Sequence, residues 1–107
     1  MKIKMTNQYT DVEKQARIRT TSGSDMPLTE VQPGCRCRFI LDTHVQGHDN
    51  TEQARIIPYQ GETRTIENIA WISDASGNQV TFKRKPNHDK PYQTSLLFLA
   101  DVCQVDR

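Results

Sequence analysis

Four side chains able to ligate a soft metal or attack an electrophile fall close together in this chain: Cys35, Cys37, His44 and His48. Thiolate and imidazole are the ligands zinc prefers, and His44-x-x-x-His48 has a finger-like separation. The Cys-x-Cys half does not fit. On a strand the two cysteines point the same way at roughly 6–7 Å, a long span for one ion without a bulge. The expectation is therefore two small core cysteines and two solvated histidines, with no metal and no other cofactor. A nucleophilic cysteine would need a low-pKa thiolate beside a base in an exposed site. Arg36 and Arg38 flank Cys37 but alternate to the opposite face, and Cys103 lies among Val102 and Val105. Asp42, Glu52, Glu62, Glu67, Asp74, Asp89 and Asp101 show no spacing that pairs two of them for acid–base work. There is no Gly-rich phosphate loop, serine elbow or His-Glu-x-x-His helix. The expectation is that the chain is not an enzyme.

The remaining chemistry is a basic surface with aromatic neighbours. Lys83, Arg84, Lys85 and Lys90 stand against Asp89 alone between residues 79 and 92. Arg36 and Arg38 add two charges if their strand shares a sheet with that segment, and Arg55 and Arg64 could extend the face. Tyr59 and Tyr92 could offer stacking planes, while Trp71, amid Ile69 and Ile72, is expected in the core. Cations along a groove with aromatic platforms are what single-stranded nucleic acid needs. The competing reading is that Arg36 and Arg38 cover the sheet with their methylene stems, paired to Glu62 or Glu67.

The elements that would position these groups are strands. Cys35–Asp42 alternates, with Cys35, Cys37, Phe39 and Leu41 on one side and Arg36, Arg38, Ile40 and Asp42 on the other; Pro33-Gly34 punctuates its start. Thr63–Ser73 and Gln79–Lys85 read as a β-hairpin around Asp74-Ala75-Ser76-Gly77-Asn78. Ala54–Tyr59 reads as a further strand, confined to an edge by Pro58. Thr10-Asp11-Val12-Glu13 has the form of a capping box, and Gln15–Thr20 is expected to be extended. Leu28 and Val31 suit a single helical turn. Residues 94–105 carry the densest apolar run; a buried strand is preferred there, although Leu96, Leu97, Ala100 and Cys103 also fit one helical face behind Thr94 or Ser95. Long loops are expected at 21–34, 46–53 and 86–94, with residues 1–9 loosely held.

A chain of 107 residues with a mean hydropathy of -0.74 is one small domain, 1–107, with a thin core. The fold expected is mostly β, an open barrel or sandwich of five or six strands with one or two short helical turns, similar in size to SH3-like and OB-like barrels. A net charge of +1 argues against wholesale electrostatic coating of nucleic acid but permits a local patch. Three cysteines cannot all pair within the chain, which suits a reducing cytoplasm. The first residues lack the apolar segment of a signal peptide, and no run approaches the ~20 residues that span a bilayer. The functional expectation is a non-catalytic cytoplasmic binding module. Its partner would be single- or double-stranded nucleic acid, held by Arg36, Arg38, Lys83, Arg84 and Lys85 with Tyr92 nearby. The alternative is a protein-interaction or self-assembly module using the edge strand Ala54–Tyr59.

Overall fold

The computed structural model of the chain describes residues 8–41, 57–74, 77–86 and 90–106. Their order is α1 (Asp11–Gln15), β1 (Arg17–Arg19), β2 (Asp25–Pro27), a 3-10 turn (Leu28–Glu30), β3 (Arg36–Phe39), β4 (Thr63–Ile72), β5 (Gly77–Phe82), β6 (Gln93–Ser95), α2 (Leu96–Val102) and β7 (Cys103–Val105). Mostly β is the architecture found, with seven strands among the described residues rather than five or six. They form a two-stranded sheet, β1-β2, and a five-stranded sheet in the order β6-β5-β4-β3-β7. The sheets are not closed into a barrel; they touch where Thr20 bridges Val105 and the Thr21 amide donates to the Val105 carbonyl at 2.9 Å, and the part of the expectation found is a small, mostly β domain.

The start of the chain follows the capping-box pattern. The Thr10 hydroxyl accepts from the Glu13 amide at 3.0 Å and a Glu13 carboxylate oxygen accepts from the Thr10 amide at 2.8 Å. Helix α1 lasts only five residues before Ala16 turns extended and leads into β1. Residues 21–34 are more ordered than a loop. Thr20 Oγ1 is within 2.9 Å of Ser22 Oγ and 2.8 Å of Ser24 Oγ, and Gly23 takes a φ of 96°, which closes the β1–β2 hairpin. Leu28 then anchors the expected single turn in the core.

Strand β3 keeps the predicted alternation over four residues, with Arg36 and Arg38 exposed and Cys37 and Phe39 buried. The pattern fails beyond it, since Leu41, expected inside, is 51% exposed. The β4–β5 hairpin is antiparallel from Ile66↔Phe82 to Ile72↔Gly77, with a bulge between Ile66 and Asn68. Trp71 is half-buried at the margin, not among the core residues.

The main correction concerns residues 94–105, read as a strand. Strand β6 gives way after Ser95 to helix α2, and β7 resumes at Cys103. Ser95 Oγ accepts from the Phe98 amide at 3.2 Å, and Leu96, Leu99 and Val102 turn inward at helical spacing. Strands β6 and β7 lie at opposite edges of the sheet, so the chain crosses its inner face between them. A crossing segment has no ladder partner, and a helix satisfies its backbone internally.

The core lies between that inner face and a layer made by β1-β2, the 3-10 turn and α2. Ile18, Leu28, Val31, Phe39, Ile66, Val80, Phe82, Leu96 and Leu99 are all buried within it. Phe39 meets Phe82 edge-on at 5.6 Å between centroids, and Tyr92 stacks on Phe82 at 5.8 Å. The expected edge strand Ala54–Tyr59 lies outside the described residues up to Ile56, and Ile57–Tyr59 carries no strand. Of residues 1–9, expected to be loosely held, 1–7 fall outside the described residues, as do 46–53, while Tyr9 is half-buried against the core and its hydroxyl donates to the Thr29 carbonyl at 3.3 Å.

Candidate nucleic-acid interface

Because one face of the five-stranded sheet carries the core, alternation sends every second side chain to the other face. On β3 these are Arg36 and Arg38. The ladder pairs Arg36 with Thr65 and Arg38 with Thr63 on β4, and Arg38 with Gln104 on β7. The Lys83 amide donates to the Thr65 carbonyl at 2.8 Å, continuing the same row past the end of β5. Arg36, Thr65 and Lys83 therefore lie side by side on three strands, the outer two about 10 Å apart at two strand spacings. Arg38 and Thr63 form the next row. Further along, Asn68 pairs with Thr81, Thr81 with Gln93, and Gln79 with Ser95. Beside the apolar Ala70 and Ile72 and the exposed carboxylate of Glu67, the outer face thus carries guanidinium, ammonium, hydroxyl and amide groups.

Arg36, Arg38 and Lys83 are exposed, and none forms an ion pair with a described carboxylate. The alternative pairing of Arg36 and Arg38 with Glu62 or Glu67 is not the arrangement found. Glu62 instead takes Arg64 Nε and, at 2.9 Å, Lys85 Nζ. Its other oxygen accepts from the Tyr59 amide at 3.0 Å. Burial alone would raise the Glu62 pKa, but the Tyr59 amide, Lys85 and Arg64 outweigh it and hold the carboxyl at about 2. Arg64, a candidate extension of the basic face, is 6% exposed and pairs across the ladder with buried Cys37, on the inner side. Arg55 lies outside the described residues.

Of the remaining predicted site residues, Arg84 lines the rim of an open groove of about 390 Å³ with Glu67, Lys83 and Pro91. Lys85 is held by Glu62. The Tyr92 ring packs on Phe82 and, at 6.2 Å, on Phe39, so it closes the core margin instead of presenting a free plane. The fold thus gathers Arg36, Arg38, Lys83 and Arg84 and commits Lys85 and Tyr92 to supporting roles. Sequence reading missed Thr63 and Thr65, and weighed Glu67 only as a partner for Arg36 and Arg38. The two threonines alternate along β4 and could have been placed from the hairpin register. The bulge that displaces Glu67 has no signal in its neighbours.

Cys37 and Cys103 are buried free thiols and Cys35 is half-buried. The Cys37 thiol is pushed far above its ordinary range, first by a hydrogen bond with Cys103 and then by burial, so it stays protonated. Among the described residues no three His, Cys, Asp or Glu side chains converge on a metal position. His44 and His48 lie outside those residues. No helix among them is long and apolar enough to cross a membrane.

Comparison with known proteins finds no matching family model, no matching curated protein and no matching solved structure.

Proposed function

We propose that this domain is a non-catalytic, cytoplasmic nucleic-acid-binding module that uses the outer face of its five-stranded sheet. The observation that carries the reading is the row Arg36–Thr65–Lys83, with Arg38 in the next row, on an exposed face where Arg36, Arg38 and Lys83 form no ion pair with a described carboxylate. Such cations meet phosphates at little desolvation cost, and hydroxyls and amides beside them donate further hydrogen bonds to the backbone. A span of about 10 Å covers roughly three nucleotides of a stacked strand. Free thiols at all three cysteines favour a reducing compartment. Arg36, Arg38 and Lys83 make the contacts, Arg84 adds to the rim, and Lys85 and Tyr92 support the scaffold.

The test is fluorescence anisotropy with labelled single- and double-stranded oligonucleotides over a range of salt. The expected affinity falls linearly in log–log form with a slope of about −2 on single strands and nearer −3 on duplex, for three phosphate contacts. Arg36→Ala with Arg38→Ala should reduce the slope by about 1.5 units. An affinity indifferent to salt, or no binding to either form, would refute the proposal.

A second reading, self-assembly, draws on the exposed Leu97 and Phe98 of α2, 37% and 38% accessible, beside the short sheet edge at β6. Light scattering over a range of concentrations separates the two. A stable dimer abolished by Phe98→Ser, with no oligonucleotide affinity, would favour assembly.

A further inference from the structure

The ladder of β4 and β5 breaks its register between Ile66 and Asn68, which leaves Glu67 as the extra residue of a bulge. Bulges re-aim a side chain, and they recur beside functional sites. Here the displaced residue lines the open groove of about 390 Å³ together with Lys83, Arg84 and Pro91. Glu67 is exposed, with no hydrogen-bond or ion-pair partner among the described residues, although two cations stand on the same groove. A carboxylate on a surface meant only for phosphate repels its ligand. Its position is accounted for if the ligand also brings hydrogen-bond donors.

We infer that this groove is a base-selective subsite and that its occupant is a guanine of a single-stranded nucleic acid. The inference rests on the proposed nucleic-acid reading and deepens it. An ionised carboxylate is an acceptor only, with two oxygens side by side. Among the four bases, guanine alone offers two adjacent donors on its Watson–Crick edge, the N1–H and the N2 amine, to match both oxygens. Adenine and cytosine offer a single amine there. That edge is reachable only in an unpaired base. Lys83 takes the flanking phosphate and Pro91 supplies an apolar wall for the ring. The groove's described lining holds no aromatic ring, so selectivity comes from the hydrogen-bonded edge.

The experiment compares thymidine oligonucleotides about a dozen residues long, carrying one central guanosine, inosine or adenosine, by anisotropy at fixed salt. Inosine keeps the N1–H and lacks the amine. The expected order is guanosine first, by about fivefold or more over inosine, the range of a good bidentate base contact. Glu67→Gln replaces one acceptor by a donor, so it should erase the guanosine preference. It should also strengthen binding of the adenosine oligonucleotide, because a negative charge leaves the groove. Lys83→Gln should weaken all three ligands alike and keep their order. Circular dichroism confirms that each variant is folded. Equal binding of all three oligonucleotides, or a guanosine preference that survives Glu67→Gln, overturns the inference and leaves the phosphate-binding face standing. Absence of binding to any oligonucleotide overturns both.

Discussion

Replacing Glu62 by glutamine should remove most of one component of the protein's acid sensitivity. In the folded chain this carboxyl titrates at about 2, against an ordinary 4.5. A carboxyl whose pKa is depressed by folding stabilises the native state at every pH above its unfolded value. That stability is lost as pH falls, because the unfolded chain takes up the proton first. The fall from 4.5 to about 2 sets a ceiling of about 3 kcal/mol. Arg64 is 6% exposed but Lys85 is 39% exposed, so solvent screens part of the interaction, and about 2 kcal/mol is the expected share. Urea denaturation of parent and Glu62→Gln at about pH 7 and again near pH 2.5 measures it. The variant should start about 2 kcal/mol lower at neutral pH and converge on the parent in acid. Every other carboxyl titrates in both proteins, so the difference between the curves isolates Glu62. Parallel curves, with the same gap at both pH values, would refute the account of this knot as an ionic one.

Three further outcomes follow from single contacts. Glu13→Ala deletes the acceptor for the Thr10 amide, the Asn78 amide at 2.9 Å and Asn78 Nδ2 at 3.1 Å. It should destabilise by about 3 kcal/mol, well beyond Thr10→Ala at about 1 kcal/mol, in thermal or urea melts; equal losses would mean the Asn78 clamp contributes nothing. Gly34 holds a φ of 95° with open space where a Cβ would stand, so Gly34→Ala should cost about 1 kcal/mol through backbone strain alone, and a neutral result in the same melts would contradict it. In a thiol titration of the native protein at neutral pH, half-buried Cys35 should react first, while Cys37 and Cys103, 0% and 1% exposed, should react only after denaturant is added. Rapid reaction of all three would show that the inner thiols are not sequestered.

Much of the scaffold was legible along the chain, because the signals involved act between near neighbours. The alternation of Arg36 to Phe39, the Thr10–Glu13 capping box, the turn at Pro33-Gly34 and the β4–β5 hairpin each express contacts a few residues apart. The Leu96–Val102 segment was misread for a reason internal to it. Its apolar residues satisfy a period of two or of three to four equally well, so the pattern could not choose. The choice was made by topology, since the segment must pass from one edge of the sheet to the other with no neighbouring strand to bond.

The candidate site divides along the same line. From sequence alone came the basic character of residues 83–85 and the outward turn of Arg36 and Arg38. Only the tertiary structure set Lys83 beside Thr65 and Arg36, drew Lys85 and Arg64 away to Glu62, and turned Tyr92 onto Phe82. Only it joined Glu13 to Asn78 across 65 positions and lifted Glu67 out of the ladder into the groove. Local pattern decides which face a side chain takes, because the pleat alternates every residue. Which charges meet depends on strand order and register, and those are settled by how the whole chain buries its apolar surface.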